Sequence, residues 1–519
     1  MVETKEARIY RLRWWTLAAI SVSVLVMVLD TTVMNVALPT IQRQLGATSS
    51  ELQWMVVAYT MMLGALMMTT GSLGDRIGRG KTLRAGLVVF GIASVGAFLS
   101  GTPTQLIICR VFMGAGAALM MPNTLSTITN VFSEKERGQA IGVWAGLNAV
   151  GIALGPIIGG SLVQHYNWNS IFGINIPIVI SALILGWFFI PDTRDDQPRK
   201  LDIIGNLLSL AGLATLIYGL VTGGSRGWTD AQVLATISAS VLLIALFIFW
   251  EKRTSHPLLE LSFFRNPQFS TGIGILIIIG LALNGVIYVL TYYMQFVRGY
   301  DPLGAGLRFV PFAIGMLFGS VMANGFVRRL GVKPVMATGF FGAAILLMVM
   351  SFLRVDSPYW QLGTELFLFS LFLGSIASSV TNVIMGSIPK AKAGIGSGIN
   401  TTFQMIAGTI GVSVLGAILA SVYAANFLKS AAAIPDLPAT LAQKASDSVG
   451  VAIGIAKSGQ IPAALADSLA QTARLSFMDG WGIIMVISGT IFVFGAIVVL
   501  IFMPSRQDTL THEPGDKKQ

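Results

Sequence analysis

Residues Trp14–Leu38 read WWTLAAISVSVLVMVLDTTVMNVAL, an apolar run in which Asp30 is the one ionisable side chain. About 20 such residues, rising ~1.5 Å each as a helix, cross a hydrocarbon core of ~30 Å. The run is therefore long enough to span a membrane. Lys5, Arg8, Arg11 and Arg13 precede it and no small-residue cleavage site follows, which predicts a retained first helix rather than a signal peptide.

Working outward, runs of the same kind repeat to the end of the chain. Of the 519 residues, 54% are hydrophobic and 11% are charged, against about 25% charged in soluble domains. Membrane β-barrels are excluded, because their strands are short and alternate in polarity. The pattern predicts an all-α polytopic membrane protein with fourteen spans. Six fall in 14–190, two in 203–250 and six in 270–503, with tails at 1–13 and 504–519. One long loop, 425–477, precedes the last span; it is expected to hold two short amphipathic helices at the membrane surface or to be a plain linker.

The charges test this map. With the N-terminus cytoplasmic, 24 of the 34 Lys and Arg fall in cytoplasmic segments and 8 outside, while Arg110 and Arg308 lie within spans. A bias that alternates loop by loop would vanish if one span were miscounted, so it supports both the count and cytoplasmic termini. It also explains the net charge of +10 without nucleic acid. Cys109, the single cysteine, lies among Ile107, Ile108 and Val111 and reads as an inert thiol.

Two loops echo one another: Gly71–Leu83, GSLGDRIGRGKTL, and Gly325–Pro334, GFVRRLGVKP, about 254 residues later. Gly138, Gly142 and Gly155 recur as Gly394, Gly398 and Gly411, offset by 256. Six-helix halves repeat with two extra helices inserted between them, an arrangement that suits a transporter with its substrate site between repeats.

Four signatures now bear on kinship. They are Leu29-Asp30-Thr31-Thr32-Val33-Met34-Asn35-Val36-Ala37-Leu38-Pro39 in the first helix, and Gly71, Leu73, Asp75, Arg76, Gly78, Arg79 and Lys81 between the second and third. Arg110, Gly114 and Gly116 follow in the fourth, and Gly151, Gly155, Pro156, Gly159 and Gly160 in the fifth. In this order and spacing the chain resembles the major facilitator superfamily, specifically its fourteen-helix drug–proton antiporters of the QacA/EmrB type. The resemblance implies the major facilitator fold, a proton gradient in place of a cofactor, and a multi-pass place in a bacterial or archaeal inner membrane. It departs at the start of helix six, where Trp168-Asn169-Ser170-Ile171-Phe172, then Asn175 and Pro177, lacks an Arg and a second Trp. Val56-Val57-Ala58-Tyr59 carries no extra acid, so a strong preference for dications is not expected.

Physical readings of individual residues go with this. An aspartate at mid-helix costs roughly 2.5–3.5 kcal/mol on insertion scales. Asp30 is therefore either a proton carrier that also attracts cations or a structural hydrogen-bonding group for Thr31, Thr32 or a neighbouring helix. Arg110 falls at a similar depth and is read as its switchable partner, or else as a fixed ion pair or snorkelling side chain. Glu365 is a candidate second proton site, or an interface residue. Asp301 before Pro302 reads as a helix N-cap, and Arg308 could pair with Asp301 or Glu365.

Asp75, Arg76, Gly78, Arg79 and Lys81 read as a charge latch between helices, or as a topology determinant. Gly151, Gly155, Gly159 and Gly160 with the bend-permitting Pro156 read as a packing ridge that seals one route between the repeats. Asn148, Tyr292, Tyr293, Gln295 and Gln404, among Met and Phe neighbours, are candidate cavity residues for lipophilic cations.

No nucleotide-binding G-x-x-x-x-G-K-[S/T] loop is present, so ATP is not expected to drive transport directly. No paired catalytic groups support an enzyme, and no filter motif supports a channel. The expected function is proton-coupled export of lipophilic, cationic small molecules by a monomer in the bilayer. A native metabolite, lipid or siderophore is the alternative cargo.

Overall fold

The computed structural model describes residues 10–194, 202–255, 257–259, 261–387 and 393–503, and these are almost wholly helical. The long helices are α1 (Arg13–Leu45), α2 (Ser49–Ile77), α3 (Arg79–Leu99), α4 (Pro103–Val131), α5 (Glu134–His165), α6 (Asn175–Phe189), α7 (Ile203–Arg226) and α8 (Ala231–Arg253). They continue with α9 (Pro267–Tyr292), α10 (Val310–Leu330), α11 (Val332–Met350), α12 (Tyr359–Gly386), α13 (Ala393–Ala431) and α14 (Ala463–Phe502). Among the described residues thirteen segments are long and apolar enough to cross a membrane, and α5 contains the shorter apolar stretch Val150–His165. The count is consistent with fourteen spans.

Polar caps start these helices where the sequence leaves apolar runs. Thr48 and Glu51 form a reciprocal capping box at α2. Thr102 before Pro103 caps α4, Asp230 caps α8, and Asn266 before Pro267 caps α9. The echoed loops fold alike: Gly78 (φ +118°) both ends α2 and begins α3, and Gly331 (φ +90°) does the same between α10 and α11.

The described chain begins and ends at one face of the bundle, here the terminal face; the opposite one, with residues 432–462, is the loop face. α1 to α6 form one group, α9 to α14 the other. α7 lies along both α2 and α13: Trp54 and Tyr218 rings are 6.4 Å apart, and Ser421 Oγ donates to the Gly224 carbonyl at 3.1 Å. α8 packs on α7 through Ser240, which bonds the Gly212 carbonyl at 3.0 Å, and leaves Leu234, Val241, Leu242 and Phe249 exposed.

The two groups meet toward the loop face. Gln295 Nε2 donates to the Val36 carbonyl at 2.7 Å, and Thr409 Oγ1 to Thr60 Oγ1 at 2.7 Å. On the terminal side, α2 turns to its own group: a Cβ at Gly71 would touch Pro122 at 3.4 Å. Segment 425–477 is helical at both ends. α13 runs to Ala431, and α14 begins at Ala463. Between them stand Ala439–Ala445 and Val449–Lys457, the second with Val449, Ala452 and Ile453 buried.

Candidate functional site: a buried ion pair bracketed by a glycine ridge

At mid-bundle, Asp30 on α1 is 3% exposed and Arg110 on α4 is 1% exposed. The Arg110 Nη1 group donates to Asp30 Oδ2 in an ion pair. Asn175 Nδ2 donates to Asp30 Oδ1 at 3.0 Å, and Arg110 Nε donates to the Met55 carbonyl at 2.8 Å. The guanidinium carbon also stands 4.4 Å from the centroid of the buried Tyr59 ring. Thr31 and Thr32 do not hold Asp30; each bonds a carbonyl one turn back, Met27 and Val28, at 2.9 Å.

Local backbone features bring these groups together. Gly114, one turn beyond Arg110, lets α2 approach α4; a Cβ there would meet Met62 Cβ at 2.9 Å. The sixth span opens with the helical turn Ser170–Gly173, and Asn175, at the start of α6, aims at Asp30. A pair so dry is net neutral, and removing either partner strands a buried charge.

The glycine ridge of α5 surrounds the same turn of α1. Cβ atoms at Gly151 and Gly159 would lie 2.9 Å from Val28 and 2.7 Å from Val33, and one at Gly155 would overlap the Thr32 hydroxyl. The ridge ends on the other group of helices. A Cβ at Gly160 would lie 2.7 Å from Leu303 Cα, and one at Gly306 would lie 2.6 Å from the Pro156 carbonyl carbon, in the short helix Pro302–Leu307.

At the terminal face, Asp75 takes Arg79 in an ion pair at 2.6 Å. Asp192, just past α6, takes Lys81 Nζ at 3.6 Å, and Arg79 N donates to the Thr193 carbonyl at 2.9 Å. The α2–α3 turn is thus latched to the end of α6; Arg76 is exposed beside it. Gly78 sits against the Asp192 carboxyl, whose carbon would be 2.6 Å from a Cβ. Gly78→Val therefore adds both a positive-φ strain, of about 1–3 kcal/mol, and this overlap. The export expected from the sequence should then fall sharply at undiminished membrane abundance, measured by dye efflux against immunoblot; an unchanged rate would show that the latch has no part in it.

The remaining candidates lie apart from the pair. Glu365, on α12, is 6% exposed; Gln361 donates to its Oε1 at 3.2 Å, and Oε2 has no partner among the described residues. Arg308 lies over the Tyr300 ring at 3.7 Å and donates to the Gly304 carbonyl at 3.0 Å, rather than pairing with Asp301 or Glu365. Asp301 caps Gly304 N at 2.8 Å.

Three proposed cavity residues are instead taken up by packing. Tyr293 stacks on Trp481 at 4.7 Å, Tyr292 meets the Tyr288 hydroxyl at 3.3 Å, and Gln295 is held in the seam with Val36. Tyr293 and Gln295 stand in a π-turn, Tyr293–Val297, which offsets them from the register of α9. Gln404 is exposed, and the side chain of Asn148 lies outside the described residues.

Sequence reasoning gave no role to Tyr59, the Met55 carbonyl, Asn175 or Asp192. Asn175 and Tyr59 did stand in stretches compared with the resembling family, which was the one available signal.

Residues 20–412 match the family model described as Major Facilitator Superfamily. The chain is 30% identical over 498 residues to the tetracenomycin C resistance and export protein of Streptomyces glaucescens, covering 95% of this chain and 92% of that protein. It is 30% identical to the multidrug efflux pump LfrA of Mycolicibacterium smegmatis (94% and 95% covered) and to the methyl viologen resistance protein SmvA of Salmonella typhimurium (90% and 93%). In fold it is similar to an inward-facing bacterial homologue of the lysosomal transporter Spinster, with TM-score 0.61, 17% identity and 94% and 98% coverage. A D-xylose-proton symporter gives TM-score 0.60 at 14% identity, with 95% and 98% coverage.

Proposed function

The chain belongs to the major facilitator superfamily, and from that premise we propose that it is a proton-coupled exporter of lipophilic, cationic small molecules. The observation that carries this is the Asp30–Arg110 pair: one acid and one base, sealed from both faces, on different helices of one half. Relatives across nearly the whole chain are named for drug resistance and efflux, which supports the cargo class.

The mechanism follows from the pair's chemistry. With Asp30 ionised, Arg110 neutralises it and the site is closed. A proton on Asp30 cancels the charge that holds Arg110, leaving a cation that must find other acceptors, and so favours a rearranged state. A cationic substrate and a proton then compete for the same carboxylate, which gives exchange. Since Asp30 is dry here, proton exchange belongs to the rearranged state. We place the loop face outside and both termini in the cytoplasm of a bacterial or archaeal cell, so the present state is closed outside. Glu365, buried in the other half with one carboxyl oxygen unpartnered among the described residues, is a second proton site in this scheme. Gln404, exposed on α13, belongs to the substrate path.

The test is efflux from inverted vesicles. A lipophilic cationic dye is expected to accumulate in vesicles holding the protein when a proton gradient is imposed, and to leave when a protonophore collapses it. Accumulation that ignores the gradient would overturn proton coupling.

A further inference from the structure

Residues 432–462 connect α13 to α14, both in the last six spans, yet their middle rests on the first six. The segment is rooted on its own side: the Tyr423 hydroxyl donates to the Ala445 carbonyl at 3.1 Å, and Val449–Lys457 buries Val449, Ala452 and Ile453. It docks across the seam at a corner made by Asp447 and Ser448. Gln42 Nε2, near the end of α1, donates to Ser448 Oγ at 2.6 Å. Ser49 N, in the first turn of α2, donates to Asp447 Oδ2 at 3.2 Å, and Ser49 Oγ donates to the Asp447 carbonyl at 2.8 Å. Gly450 fits the crevice below, where a Cβ would lie 2.7 Å from the Phe296 ring.

We propose that this segment is a strap that must let go of α1 and α2 each time the loop face opens, so that Asp447 and Ser448 are gating residues of the transport cycle. The inference rests on the alternating-access reading above. Opening the loop face moves the ends of α1 and α2 away from α13 and α14, where the strap is rooted at both ends. A strap bonded to both sides cannot follow both.

The docking chemistry suits repeated release. Across the seam the polar contacts are hydrogen bonds that are buried while the strap is docked, with Gln42 2% and Ser448 6% exposed, and water can replace each one once the loop face parts. Asp447 meets α2 at its N-terminus, where free N–H groups and the helix dipole favour a carboxylate. Ser448 also caps its own helix, accepting from Val451 N at 3.3 Å, so the strap helix keeps its cap when Gln42 leaves.

Two measurements test this in a Cys109→Ser chain. First, Gln42→Cys with Ser448→Cys is bridged in the membrane by a short reducible bis-methanethiosulfonate reagent, because a cysteine is shorter than the Gln42 side chain it replaces. The bridge is expected to stop efflux, and reductant is expected to restore it. Undiminished efflux from the bridged chain would overturn the strap. Second, Gln53→Cys reports the seam, because Gln53 is 2% exposed and faces Gly416. Adding Ser448→Ala is expected to raise its labelling by an impermeant maleimide from the loop-face side several-fold; unchanged labelling would overturn the proposal. Failure of the exporter reading itself is separable, since the reduced parent would then show no gradient-driven efflux.

Discussion

Asp30→Asn is expected to abolish proton-driven efflux and to lower the melting temperature of the solubilised protein. The amide matches the carboxyl in size and still accepts from Asn175, so packing survives. What changes is charge: Arg110, 1% exposed, loses its counter-ion. Stranding one member of a buried pair costs about 3–5 kcal/mol, whereas replacing both by neutral groups is often neutral or stabilising. The double variant Asp30→Asn with Arg110→Gln is therefore expected to regain stability and not efflux. This separates two roles for the pair. If Asp30 only holds α1 to α4, the double variant recovers both melting temperature and transport, and the exchange mechanism fails. If Asp30 carries the proton, melting recovers alone, because no carboxyl group remains at the site. Thermal melting and vesicle efflux on the three proteins decide the matter.

The Asp30–Arg110 pairing was open to sequence reasoning because hydrocarbon leaves charges few options. A buried acid and a buried base at similar depth, each counted along its own helix, find each other. The groups that complete the site were hidden for particular reasons. Asn175 stands near the start of a span that runs from Ser170 to Phe189, and its reach to Asp30 depends on how that span packs against α1, which the sequence does not state. Asp192 looked like one more loop charge, since its role depends on the α2–α3 turn folding back onto it. Tyr292, Tyr293 and Gln295 are packed here because a polar or aromatic side chain inside a membrane serves packing as readily as binding, and the π-turn that follows Tyr292 has no clear sequence signal. The glycines of α5 were legible as a close-packing ridge between the repeats, but not which member, Gly160, meets the other half and which face α1.

That crossing gives the second large effect. Gly306→Val is expected to hold the protein open at the loop face and to stop net transport. The added Cβ would lie 2.6 Å from the Pro156 carbonyl carbon, and the obstacle is backbone rather than a flexible side-chain tip. Overpacking of this kind costs about 1–3 kcal/mol. Here the cost falls on the closed state alone, because the contact between Pro302–Leu307 and α5 parts when the loop face opens. A bias of that size shifts the equilibrium by roughly 5- to 150-fold, taking ~1.4 kcal/mol as tenfold. The seam reporter Gln53→Cys should then label readily from the loop-face side, while efflux falls because the return to the closed state is rare. The equivalent change at Gly151, which faces Val28 inside the first half, should perturb packing without raising that labelling. If Gly306→Val leaves the reporter protected, the ridge does not seal the loop face, and the closed contact between halves must be held elsewhere, by the Gln295–Val36 and Thr60–Thr409 bonds.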